Sequence, residues 1–169
     1  MAISNEFVAE EPKPCLFCEL GKRPENVIWE NDFFYAQLDK FPVSPGHAEV
    51  IPKNHIVSLL DLNPEDWTFL QEAIVETVRV IETLDFREIY SNFLQNPIND
   101  KSAWFCRRML EHPGVGRKPD GYNFGNNDGA AAGRTIHHLH IHIIPRFMGD
   151  TENPEGGIRH IIPGMGKYK

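Results

Sequence analysis

The sequence predicts an α+β fold in which an antiparallel β-sheet carries helical packing on one face. Three observations predict it. Residues 138–144 alternate histidine with aliphatic side chains. Residues 27–52 read as a meander of short aromatic and β-branched runs around a Pro/Gly turn. Residues 64–84 carry an apolar stripe at helical spacing. Period two marks strands and a period near 3.6 marks a helix.

In chain order, residues 1–14 hold acids and prolines without periodicity and read as a loose lead-in. Cys15-Leu16-Phe17-Cys18 is half of a zinc knuckle, a redox pair, or two buried small residues. Residues 27–30 form a short strand and residues 33–38 a second. Residues 39–46 make the turn, and residues 47–52 form the third strand. There His47, Glu49 and Ile51 share one face, Ala48 and Val50 the other, and His55 follows in the next loop. The helix over residues 64–84 has Asn63 as N-cap, Pro64 at its first position and Glu65 and Asp66 at its positive end. Its stripe of Trp67, Leu70, Ile74, Val78 and Ile81 is expected to cover Leu139, Ile141 and Ile143. Residues 86–94 are a strand or a short helix, and residues 102–110 a second short helix. Cys106 reads as a buried thiol rather than a nucleophile. Residues 113–121 form a basic Gly/Pro loop, and residues 121–126 another strand. The small-residue loop 127–133 offers backbone amides to a ligand. Residues 138–144 form the last strand, which Pro145 ends. A polar, Gly/Pro-rich tail follows.

Composition bounds the function. A chain of 169 residues, 41% hydrophobic, suggests one domain with a core. With 17 basic against 24 acidic residues the net charge is −7. That balance argues against a broad nucleic-acid or membrane surface. No apolar run approaches the roughly 20 residues of a membrane span. The acidic N-terminus lacks a signal-peptide pattern, and three cysteines do not resemble a secreted disulfide framework. A soluble, cytoplasmic protein is expected.

His138, His140 and His142 line one face of their strand, opposite Leu139, Ile141 and Ile143. Such a row could bind a metal, act on a phosphate, or have no role. Three rings in register after a loop of small residues make the last reading the weakest. A catalytic metal usually adds carboxylates, and only Asp128 lies near. Imidazoles suit phosphate chemistry because one neutral ring can attack while a neighbour stabilises charge or donates a proton. The middle ring, His140, has imidazoles on both sides and is the best-placed nucleophile.

These residues resemble the histidine triad (HIT) superfamily. The signature His-φ-His-φ-His-φ-φ, with φ apolar, stands complete at His138-Leu139-His140-Ile141-His142-Ile143-Ile144. Gly133-Arg134-Thr135-Ile136-His137-His138 is similar to the family's lead-in, with Arg134 where Gln is usual. Pro45-Gly46-His47 and Val50-Ile51-Pro52-Lys53-Asn54-His55 match two further motifs, and Asp39 sits eight residues before His47. The likeness runs over residues 15–146, with an insertion over residues 86–120. It implies a single HIT-like domain over residues 1–169, with helices on one face of the sheet and a tail over 147–169. It also implies a homodimer joining two sheets.

The resemblance further implies hydrolysis or transfer at the α-phosphate of a purine nucleotide, through a covalent nucleotidyl-histidine on His140. His142 would contact the phosphate or bridging atom and assist the leaving group. His47 and His138 would form a relay. Asp39 would accept from the ribose, and Asn127, Gly133, Arg134 and Thr135 would hold the phosphate. Cys15, Cys18, His55 and His138 would bind a structural zinc, with no catalytic cofactor. The C-x-x-C pair resembles the phosphoramidase-like branch, whereas residues 39–47 resemble the dinucleoside polyphosphate branch. Arg134 would favour extra phosphates or reach only solvent. Alternatives are a nucleotide- or partner-binding module with slow hydrolysis, and a metal-binding protein using the triad itself.

Overall fold

The computed structural model describes residues 14–166, so the expected lead-in lies outside the described residues except for Pro14. The strands are β1 (Val27–Glu30), β2 (Phe34–Leu38), β3 (Ala48–Pro52), β4 (Gly121–Gly125) and β5 (Ile141–Arg146). They form one antiparallel sheet in the order β1-β2-β3-β5-β4. The helices are α1 (Leu16–Leu20), α2 (Pro64–Ile81), α3 (Phe86–Phe93) and α4 (Asp100–Glu111). Among the described residues no helix is long and apolar enough to cross a membrane.

β2 and β3 are buried on both faces. Phe34, Ala36 and Leu38 of β2 and Ala48 and Val50 of β3 enter the main core with Leu70, Ala73 and Ile81 of α2. Phe86 and Tyr90 of α3 and Cys106 and Met109 of α4 complete that core. Tyr35 and Ile51, on the opposite face, pack with Phe17 of α1. The expected one-sided helical layer therefore needs one amendment. α1 covers part of the other face, pinned where the Tyr35 hydroxyl donates to the Phe17 carbonyl at 2.7 Å.

The capping of α2 is as expected and extends to a full box. Asn63 Oδ1 accepts from the amides of Glu65 and Asp66, and Asp66 Oδ2 accepts from the Asn63 amide. Its buried stripe differs from the expected one. Trp67 is exposed, and the buried positions are Asp66, Leu70, Ala73, Thr77 and Ile81. The large apolar side chains misled because the small ones face the sheet. Ala73 and Thr77 are fully buried, and the Thr77 hydroxyl is satisfied by donating to the Ala73 carbonyl. The helix ends at Ile81 rather than residue 84. It packs chiefly on β1, β2 and β3. The Leu139, Ile141 and Ile143 row joins the same core without being its main seat.

Residues 86–94 resolve as a helix. Asp85 caps α3 by accepting from the amides of Arg87 and Glu88, and Asn99 caps α4 through the Ser102 amide. The Ser102 hydroxyl donates to the Lys40 carbonyl, and the Gly46 amide donates to the Tyr90 hydroxyl. Both helices are thereby tied to the turn that presents His47.

The last strand starts later than expected and runs through Pro145. Its pairing with β3 extends only from Ala48↔Ile143 to Val50↔Ile141. Before Ile141 the chain leaves the ladder. There the Leu139 amide donates to the Ile56 carbonyl at 2.7 Å. Pro145 lies beyond the last β3 pair, opposite only Tyr122 of β4, where a missing donor is tolerated.

Candidate active site and metal-binding cluster

His138 and His140 precede β5 and are buried, while His142 sits within it, half-buried. The His138 ring donates from Nε2 to the Pro52 carbonyl at 2.8 Å. That bond leaves Nδ1 bare, facing sulfur. Cys15 Sγ and Cys18 Sγ lie 3.3 and 3.5 Å from it, and Cys18 Sγ lies 3.5 Å from His55 Nδ1. One ligand atom from each of the four lies within 4.8 Å of the others. A tetrahedral zinc with ordinary Zn–S and Zn–N bonds spaces sulfur and nitrogen about 3.5 Å apart. The donor set fits that ion, and Pro52 supplies the partner that fixes a histidine ligand's tautomer. Burial and the neighbouring Cys15 push the Cys18 thiol up, and a bound cation would reverse that.

His140 is held by the residue before its neighbour. Its Nδ1–H donates to the His138 carbonyl at 2.8 Å, so the lone pair is on Nε2. The Phe17 ring meets it edge-on at 5.2 Å, and the His142 ring at 5.0 Å. His138 therefore reaches His140 through its backbone. Its ring faces Pro52 on one side and the two cysteines on the other.

Behind His142 runs a second chain. His142 Nδ1 lies 3.0 Å from His47 Nε2, and His47 Nδ1 lies 3.3 Å from Asp39 Oδ2. His47 Nδ1 accepts from the Val43 amide at 3.4 Å, so the His47 proton sits on Nε2 and is donated to His142 Nδ1. Burial pushes His47 below the usual imidazole range despite Asp39. Burial first, and then His47 and His140, bring His142 down to about 4. Both rings are neutral near pH 7.

The loop before the triad is less open than expected. The amides of Ala132, Gly133 and Arg134 are spent on Gly129 and Ala130 carbonyls. Gly129 and Gly133 hold φ of +90° and +88°, which suits glycine. Arg134 is half-buried. Its Nη1 donates to the Val57 carbonyl and to Asp128, which also accepts from Ser58. Asn127 and Thr135 are exposed on either side of this loop.

Two residues escaped the sequence reading. Phe17 was hidden between the cysteines of C-x-x-C. Glu49 was placed on the His47 face but given no role. A charged residue in the middle of an otherwise apolar strand was its signal.

The HIT domain family matches residues 21–149. An uncharacterised HIT-like protein of Methanocaldococcus jannaschii is 29% identical over 140 residues, covering 82% of this chain and 83% of its own. One from Mycoplasma genitalium is 30% identical over 135 residues, covering 79% of this chain and 73% of its own. A HIT family structure from Bacillus subtilis is 28% identical with a TM-score of 0.54, over 82% of this chain and 77% of its own. A zinc-bound histidine triad family structure from Mycobacterium smegmatis is 29% identical with a TM-score of 0.50, over 83% of this chain and 80% of its own. With the complete triad running into β5 these place the chain by descent: it belongs to the HIT family.

Proposed function

We propose that this protein is a nucleotide hydrolase or transferase acting at the α-phosphate of a purine nucleotide, through a covalent nucleotidyl-histidine on His140. Family membership suggests a nucleotide-directed enzyme, and one observation carries the finer reading. The His140 Nδ1–H bond to the His138 carbonyl leaves Nε2 as a fixed, unprotonated nucleophile. In the first step Nε2 bonds to phosphorus and the bond from phosphorus to the leaving group breaks. Water then attacks phosphorus and restores neutral His140. His142 contacts the phosphate or bridging atom and assists the leaving group, held in place by His47 and Asp39. Asp39 accepts from the ribose, and Asn127, Gly133, Arg134 and Thr135 border the phosphates. Substrates are nucleoside phosphoramidates or dinucleoside polyphosphates.

Cys15, Cys18, His55 and His138 hold a structural zinc, supported by the fit of their donors and by the zinc-bound relative. When bound, the ion cross-links α1 to the segment before β5. The chain works as a single HIT-like domain, with residues 86–120 as an insertion, and pairs as a homodimer joining two sheets. Turnover of an adenylated amine and of a dinucleoside polyphosphate, with His140→Ala alongside, tests the reading. Loss of turnover in the variant is expected. Equal turnover in both proteins would favour a binding module instead.

A further inference from the structure

A nucleophile held at one atom is not yet aimed. The Nδ1–H bond to the His138 carbonyl fixes one corner of the His140 imidazole. The ring can still tilt about that corner and turn Nε2 aside. Two neighbouring rings oppose the tilt. His142 meets it at 5.0 Å with 84° between the planes, and Phe17 at 5.2 Å with 69°. Edge-on contacts of this kind have a direction, because ring faces are negative and ring edges positive. His142 is half-buried and lies in the proposed path of the phosphate. Phe17 is buried, and its ring also meets the His138 ring edge-on at 6.0 Å. Its own place is fixed from several sides. The Phe17 carbonyl accepts from the Tyr35 hydroxyl at 2.7 Å and from the Gly21 amide at 3.1 Å. At Gly21 a Cβ would lie 2.6 Å from the Tyr35 ring, so the end of α1 sits hard against β2. Cys15 and Cys18, on either side of Phe17 in the chain, both face His138. A helix of five residues has little stability alone, and these anchors hold it.

We propose that Phe17 is a positioning residue for the reaction, its ring holding the His140 imidazole at the tilt that aims Nε2 at phosphorus. This rests on His140 being the nucleophile. The Nε2 lone pair lies in the plane of the imidazole, so a tilt of the ring moves the line of attack as well as the distance. Phe17 touches no reacting atom and acts through His140. A side chain of similar bulk without an aromatic edge fills the same space but sets no angle. If Phe17 only filled the space between α1 and the sheet, its loss would lower stability and leave the folded molecules fully active.

The test uses Phe17→Leu, which keeps an apolar side chain and removes the aromatic edge, with Phe17→Met as a second variant should Leu fold poorly. On a nucleoside 5′-phosphate 4-nitrophenyl ester, kcat per folded molecule should fall by about 10- to 100-fold, since a misplacement of about 1 Å costs on the order of 100-fold. KM should stay within about twofold, because the lost contact is with the nucleophile and not with the substrate. Imidazole proton–nitrogen NMR spectra give the second readout. The His140 signals, assigned by their loss in His140→Gln, should shift or broaden in Phe17→Leu. Those of His112, which packs on Phe147, should stay in place. Melting curves supply the folded fraction of each sample. Unchanged kcat, unchanged His140 signals, or a loss confined to KM would overturn the proposal. Full turnover by His140→Ala, with the His140 signals still moved in Phe17→Leu, would instead overturn the nucleophile assignment on which it rests.

Discussion

Replacing Cys15 and Cys18 together by Ala separates the metal cluster from the catalytic row. Both sulfurs face His138 Nδ1, at 3.3 and 3.5 Å, and His138 is fully buried. Without sulfur or metal that nitrogen has no partner, which costs about 1–3 kcal/mol. In a chain of this size each kcal/mol lowers the melting temperature by roughly 2–4 °C, so a fall of roughly 2–12 °C is expected from the orphaned nitrogen alone. Loss of a bound ion adds to it. Elemental analysis should find about one zinc per wild-type chain, as four protein donors close a structural site, and almost none in the variant. Calorimetry, with and without chelator, measures the stability difference. Metal retained in the double variant but lost from His140→Ala/His142→Ala would refute the reasoning and assign the ion to the triad.

Two further outcomes follow from packing and charge. Gly46→Ala places a side chain at φ +84° with its Cβ 2.8 Å from the Phe86 ring. Strain and overpacking together should remove about 2–4 kcal/mol in urea titrations, and a loss below about 1 kcal/mol would contradict the close approach of α3. Arg146 binds Asp150 through Nε and Nη2, both at 2.8 Å, and holds its carboxyl below the usual range. A depressed carboxylate stabilises the fold above its unfolded pKa, and the contribution disappears as pH falls through the lower folded value. Asp150→Asn should therefore lower the melting temperature at pH 6 and flatten its decline towards pH 3. Parallel wild-type and variant curves would contradict this.

Much of the site was legible because its parts follow short-range rules. Period two put His142 opposite Ile141 and Ile143, and a helix signature put Asn63 and Pro64 at the start of α2. The family resemblance named Cys15, Cys18, His55 and His138 as a metal set before any distance was known. What escaped was decided by partners distant in sequence. The β3 ladder stops at Val50↔Ile141, so His138 and His140 lie outside the strand. Ala73 and Thr77 face the sheet because their size permits close approach, a fact absent from a count of large apolar residues. Arg134 looked free for phosphate but finds Val57 and Asp128. The place of Glu49 between Gln37 and His142 is set by cross-strand register, which no local pattern shows.

The central claim is that His140 Nε2 becomes bonded to phosphorus. A nucleotide substrate labelled at its α-phosphate, mixed rapidly with enzyme and quenched under denaturing alkaline conditions, gives the direct measurement by peptide mass spectrometry. The account predicts a nucleotidyl adduct on His140, formed and discharged at rates consistent with turnover, and absent from His140→Ala. An adduct on another residue, or full turnover by His140→Ala, would contradict it.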